Sequence, residues 1–237
     1  GQDRDSHLVD PGTGAARPLV ATSIVSGSLL GRVAAAHGAR YAETLTGFKW
    51  LARAGEGLVY AYEEALGHCV DPAAVPDKDG ISAAVLACDL AATARAAGCT
   101  LDDLLDALAI RHGVHRTDQV SVRLPDHPTA TAAMAALRAR PPTELDGAAV
   151  RVEDLLLRPH RPDDTIALRG DGFRVLVRPS GTEPKLKAYL EVVQPVPAAD
   201  RLAAAQDTAA HRLGSLRRAV TAVLPAPGGT QPGGTQW

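Results

Sequence analysis

No apolar run in the sequence approaches the roughly 18 residues that a membrane-spanning helix needs, so no such helix is expected. Charge of one sign is also missing. The 25 Lys and Arg against 27 Asp and Glu leave a formal net charge of −2, which gives no electrostatic case for nucleic acid or an anionic membrane. Cysteine is scarce. Cys69, Cys88 and Cys99 are odd in number and lack the paired spacing of a zinc site, so reduced thiols in the cytoplasm are expected. The polar opening residues give no sign of a signal peptide. What is there is hydrophobic material: 46% of 237 residues, enough to build one large or two modest domains.

Two kinds of pattern divide the chain. In the first part, short apolar runs (residues 19–25, 40–42 and 58–62) alternate with helical segments (29–37 and 48–54). That alternation predicts an α/β domain with a mostly parallel sheet and helices on both faces. A long helix is expected over 80–97, capped by Asp79, with Ile81, Ala84, Val85, Cys88 and Ala92 on one face. Another is expected from Thr100 to His112, with Asp102 and Asp103 in its first turn. Residues 119–124 then alternate with period two, 129–140 read as a helix, and short strands follow at 150–152 and 165–168. This predicts a smaller α+β domain with an antiparallel sheet, closed by an amphipathic helix over 198–223. The expected divisions are a flexible N-terminal segment (1–17), the α/β domain (18–114), the α+β domain (115–224) and a disordered tail (225–237).

One stretch stands out chemically. Arg178 to Lys187 reads RPSGTEPKLK, and the runs on either side alternate like the strands of a hairpin. Gly181 can take the positive φ that turns the consecutive N–H groups of Ser180, Gly181 and Thr182 toward one point, a nest that binds anions. Arg178 adds a planar fork that matches phosphate oxygens two at a time. The competing interpretation is an ordinary hairpin turn with solvated lysines. Glu63, Glu64 and His68 follow a strand and precede a loop. They should therefore sit at a strand's carboxyl end, where open α/β sheets bind ligands. A carboxylate and an imidazole can share the vicinal hydroxyls of a sugar. The alternative is surface carboxylates and a loop histidine. A zinc site from Glu64 and His68 would need a continuous helix and further ligands, and Gly67 argues against the helix. Lys49, just after Gly47 at a helix start, could reach a phosphate. Asp77 to Asp79 reads as a helix cap, and His112 and His115, with no partner at useful spacing, as structural.

RPSGTEPKLKAYLEV (178–192) resembles the phosphate-binding loop in the last domain of the α-D-phosphohexomutases, the phosphoglucomutases and phosphomannomutases. TLTGFKW (44–50), YEEALGH (62–68) and DKDGISAA (77–84) are similar, in that order, to the third domain of the same family. The resemblance runs from about residue 18 to 194. It implies that Glu64, Gly67 and His68 contact the sugar, with Leu66 standing where many members carry Ser. It also implies that Arg178, Ser180, Gly181 and Thr182 hold the phosphate that is not reacting. Lys187, where many relatives carry Arg, would assist, and Lys49 would contact the phosphosugar. The family reaction interconverts hexose 1-phosphate and 6-phosphate through a phosphoserine, with Mg²⁺ held by an Asp-rich loop; both motifs belong to the first two of four domains. Neither is found here, and Asp3, Arg4 and Asp5 only echo the end of the metal loop. The resemblance therefore implies a carboxyl-terminal half that contributes no catalytic or metal-ligating residue and works with a hexose phosphate and a missing amino-terminal half. The alternatives are a non-catalytic sugar-phosphate-binding module and an inactive truncated product.

Overall fold

The computed structural model describes residues 17–160 and 162–225. Apart from residues 17 and 225, the segments expected to be flexible or disordered at the two ends lie outside the described residues, as do Asp3, Arg4 and Asp5. The chain divides into two compact units, Gly1–Gly113 with Pro195–Leu202 and Val114–Gln194 with Ala203–Trp237.

In the first unit, β1 (Leu19–Ser23), β2 (Arg40–Thr44), β3 (Leu58–Glu63) and β4 (Gly67–Cys69) form one sheet in the order β2-β1-β3-β4. β1 runs parallel to β2 and β3, and β4 pairs antiparallel with β3. The sheet is thus mixed. Residues 67–69, expected as loop, form its edge strand. Two helices pack beside it. α1 (Leu29–Ala36) brings Gly31 so close to the Tyr41 ring that a Cβ there would lie 3.0 Å from it. The short α2 (Phe48–Leu51) sends Phe48 and Leu51 into a cluster with Ala21, Ala61 and Cys69.

α3 (Gly80–Ala96) starts where the sequence places it, because Asp79 accepts hydrogen bonds from the N–H groups of Ile81 (3.0 Å) and Ser82 (3.3 Å). Its expected apolar face does not become core. Ile81 is 81% exposed, Val85 is exposed as well, and only Ala94 is buried. Leu86 and Leu90 lie on the opposite side of the helix from Ile81 and Val85, so it is apolar nearly all round and no single face is marked for burial. α4 (Leu101–His112) opens on a capping box between Thr100 and Asp103. No single described helix is long and apolar enough to cross a membrane; α3 and α4 meet that test only together, and they are bent by 89°.

The second unit contains β5 (Val114–Arg123), α5 (His127–Ala139), a small ribbon of β6 (Glu144–Leu145) and β7 (Ala148–Ala149), then β8 (Arg151–Asp154), β9 (Ile166–Gly170), β10 (Phe173–Pro179), β11 (Lys185–Gln194) and α6 (Leu202–Val223). Five strands make one antiparallel sheet in the order β5-β11-β10-β9-β8. Alternate residues of its central strands, Val175 and Val177 on β10 and Leu186, Ala188, Leu190 and Val192 on β11, face Met134 of α5 and Leu216 and Val220 of α6. Removing such side chains from water is what holds the layer together, at roughly 1.5–3 kcal/mol for each large one. α5 begins two residues earlier than its apolar spacing predicts. Asp126 caps it through Thr129 N–H, and Pro128 fits the first turn, where no N–H is needed.

Candidate functional site

β3 and β4 are joined by a tight turn. Glu63 pairs with Gly67 and Tyr62 with His68, so Glu64, Ala65 and Leu66 form the exposed tip. Leu66 has a φ of 61°, a left-handed conformation that costs a residue with a Cβ roughly 1–2 kcal/mol, and its side chain is 88% exposed. Gly67 is buried for a steric reason. A Cβ there would meet the Phe48 ring at 2.7 Å and Glu63 Cγ at 2.8 Å. The glycine lets β4 close against α2 and so fixes where the tip projects. Burial, and then the neighbouring Glu64, push the Glu63 carboxyl above its ordinary range.

Glu64 and His68 are both tied from behind. The hydroxyls of Ser23 and Ser26 reach Glu64 Oε2 at 3.3 and 3.2 Å. His68 Nδ1 lies 2.9 Å from the Tyr60 hydroxyl, and its ring stacks on Tyr62 at 6.0 Å. Sequence reasoning singled out Glu64 and His68 but not these supports. The one available signal was the polar Ser23 and Ser26 closing a buried apolar run. Lys49 lies in α2 beside Phe48, with its ammonium 5.4 Å from the Trp50 ring. The same helix therefore bears Lys49 and packs on Gly67.

In the second unit, the expected hairpin is present in full register from Phe173↔Val192 to Pro179↔Leu186. Its tip is turned without a left-handed glycine. Gly181 is not among the glycines with positive φ, so the N–H groups of 180–182 are not gathered by a left-handed glycine. The bend is made instead by Ser180 N–H donating to Lys185 O (2.9 Å) and Lys185 N–H to Glu183 O (2.8 Å) around Pro184. Lys185 pairs with Glu183, whose carboxyl is held below its ordinary range by that ammonium first. Space around Gly181 is open: a Cβ there would touch nothing within 4 Å.

Arg178 and Lys187 stand directly opposite each other on β10 and β11. Two cations in such a pair repel. Neither makes an ion pair among the described residues, and Arg178 Nε is buried with no hydrogen-bond partner among them. A buried donor without an acceptor costs about 1–3 kcal/mol, and an anion placed there would relieve both that cost and the repulsion.

Behind this pair on the same strands lies a second charged group. Arg174 Nε donates to Glu191 Oε2 at 2.6 Å, and His115 Nδ1 meets Glu191 Oε1 at 3.0 Å. Arg174 is 8% exposed and Glu191 3%. His115 is therefore partnered, by a residue 76 positions away that sequence spacing could not reveal.

Comparison with known proteins places this fold. The "Phosphoglucomutase/phosphomannomutase, alpha/beta/alpha domain III" model matches residues 7–111, and the "Phosphoglucomutase/phosphomannomutase, C-terminal domain" model matches residues 120–209. The chain belongs to the phosphoglucomutase/phosphomannomutase family and corresponds to its carboxyl-terminal half. It is 39% identical over 175 residues to the "Probable phosphomannomutase" of Haemophilus influenzae, covering 73% of this chain and 36% of the relative. With the human phosphopentomutase it shares 29% identity over 201 residues, covering 73% and 33%. A crystal structure of a phosphoglucomutase/phosphomannomutase family protein from Burkholderia thailandensis has the same fold, with a TM-score of 0.53, 17% identity, and coverage of 87% of this chain and 38% of that one. The chain spans about a third of the length of the curated relatives it matches.

Proposed function

We propose that this chain supplies the substrate-gripping part of a phosphohexomutase, the enzyme class that interconverts hexose 1-phosphate and 6-phosphate. Arg178 and Lys187, with Ser180, Gly181 and Thr182 at the tip, hold the phosphate that is not reacting. Glu64 and His68 take sugar hydroxyls, Gly67 sets the height of their turn, and Lys49 approaches the phosphosugar from α2. Residues 18–114 act as the sugar-binding domain and 115–224 as the phosphate-binding domain. The partner is the remainder of the family's chain, and the compartment is the cytoplasm. The observation that carries this reading is the unpartnered, buried Nε of Arg178, a residue whose cross-strand partner is Lys187.

The family resemblance implies Mg²⁺. Among the described residues no group of three or more His, Cys, Asp or Glu side chains could hold a metal ion. The described residues do not fit that ion. They bind and orient, which in phosphoryl transfer is a large share of the catalysis.

Isothermal titration tests the reading. The parent chain is expected to bind glucose 6-phosphate. Arg178→Ala should weaken it about 10- to 150-fold, the loss of a charged hydrogen bond. Arg178→Lys, which keeps charge but loses the fork, should fall between. An Arg178→Ala variant that binds like the parent contradicts the assignment.

A further inference from the structure

The hydrogen bonds behind Glu64 and His68 give each a defined polarity. Ser23 ends β1 and Ser26 lies in the turn after it, and both are buried. Their hydroxyls are 2.8 Å apart, both reach Glu64 Oε2, and Ser26 Oγ also accepts from the Glu64 backbone N–H at 3.1 Å. Two hydroxyls carry two protons. A proton from this pair serves Oε2 while Ser26 Oγ accepts from the Glu64 N–H, so the two serines together fasten the backbone and the carboxylate of Glu64. Among the described residues none hydrogen-bonds Oε1, which is left as an acceptor for a ligand.

His68 is fixed in the complementary sense. The Tyr60 hydroxyl has one hydrogen-bond partner among the described residues, His68 Nδ1. Burial, with Tyr62 beside it, pushes the Tyr60 phenol up to about 12, so it keeps its proton at neutral pH. A phenol that donates to Nδ1 leaves the neutral imidazole with its own proton on Nε2. The ring plane is held by stacking on Tyr62, whose hydroxyl donates to Gly27 O at 3.3 Å.

We propose that Ser23, Ser26 and Tyr60 are positioning residues of the sugar subsite, presetting Glu64 as an acceptor through Oε1 and His68 as a donor through Nε2. The pair then reads two hydroxyls of a sugar phosphate in one sense, one donating and one accepting. This rests on the sugar-binding role of Glu64 and His68 proposed above. Tyr60→Phe removes one oxygen and no packing volume. Ser23→Ala and Ser26→Ala remove the clamp while leaving the sheet intact.

The test is nitrogen-15 NMR of the histidine side chains in the full 237-residue chain, with isothermal titration of glucose 6-phosphate and of inorganic phosphate. In the parent, His68 should show the Nε2–H tautomer, and in Tyr60→Phe a mixture of both tautomers. A role in packing alone would not move that signal. Tyr60→Phe, Ser23→Ala and Ser26→Ala should each weaken glucose 6-phosphate about 2- to 10-fold, a neutral hydrogen bond's worth, with inorganic phosphate unchanged. The Nδ1–H tautomer in the parent, or a tautomer indifferent to Tyr60→Phe, overturns the proposal. So does unchanged glucose 6-phosphate affinity in these variants where Glu64→Ala and His68→Ala reduce it. If Glu64→Ala and His68→Ala leave that affinity unchanged as well, the sugar-binding reading itself fails, and the positioning proposal with it.

Discussion

Leu66 and Arg178, one at each candidate site, each carry a local cost. Leu66 holds a left-handed conformation on an exposed tip and gains no burial in return. Leu66→Gly should therefore stabilise the chain by about 0.5–1 kcal/mol, the relief of the Cβ clash less the added chain entropy. Urea unfolding measures this, and a loss of stability would show that Leu66 makes a contact worth more than its strain. Arg178 carries an unpartnered buried donor, a cost set by function if a phosphate fills the space. Glu191 is different: it is a buried carboxylate bound by Arg174 and His115. Glu191→Ala removes a carboxylate that pairs with Arg174 and His115, and breaking a buried pair costs about 3–5 kcal/mol. The loss should appear in thermal unfolding with no requirement for ligand.

At the scale of elements, caps tie stability to pH. The carboxyls of Asp79 and Asp126 are held below their ordinary range by hydrogen bonds from the first turns of α3 and α5, and that of Asp103, in the first turn of α4, by the N–H and hydroxyl of the capping Thr100. A lowered folded-state pKa means stability that is complete above the unfolded value of about 3.9 and lost as pH falls through the folded value. Asp126→Asn, which still accepts from the α5 backbone, should flatten the acid side of the stability curve in that window. An unchanged acid limb would mean that this cap carries no proton linkage. α3 supplies a contrasting case: Ile81→Gln, on an exposed helix face, should leave stability within about 0.5 kcal/mol.

The same elements show what was legible in the sequence. The β10–β11 hairpin was legible because one of its faces is buried and period-two alternation follows from that. The start of α3 was legible because its cap is local. β4 was missed because three residues carry too short a pattern, and the first half of β5 because His115, Arg116, Thr117 and Asp118 show no apolar alternation. Glu64 and His68 were recognisable by chemistry and by resemblance. Ser23, Ser26 and Tyr60 were not, since what makes them notable is contact across strands. The backbone at Gly181 was not legible, because a glycine in a tip permits a left-handed turn without requiring one, and here Pro184 and two backbone hydrogen bonds make the bend.

At the scale of the molecule, a mixed sheet with helices and an antiparallel sheet form two units, and each carries one candidate site: a sugar turn on the first, a phosphate hairpin on the second. Matched to about a third of its relatives' length, the chain is expected to bind a hexose phosphate and, by itself, not to turn it over. A mutase assay on the purified chain with Mg²⁺ and a hexose bisphosphate primer checks the second half of that statement, and turnover would refute it. If Arg178 grips the non-reacting phosphate as proposed, its buried Nε–H meets a phosphate oxygen. The most direct measurement is the nitrogen-15 and proton signal of that group while glucose 6-phosphate is added. The Arg178 Nε–H proton is expected to move downfield and to exchange more slowly with water as the ligand saturates. A signal that stays in place at saturating glucose 6-phosphate would contradict that assignment.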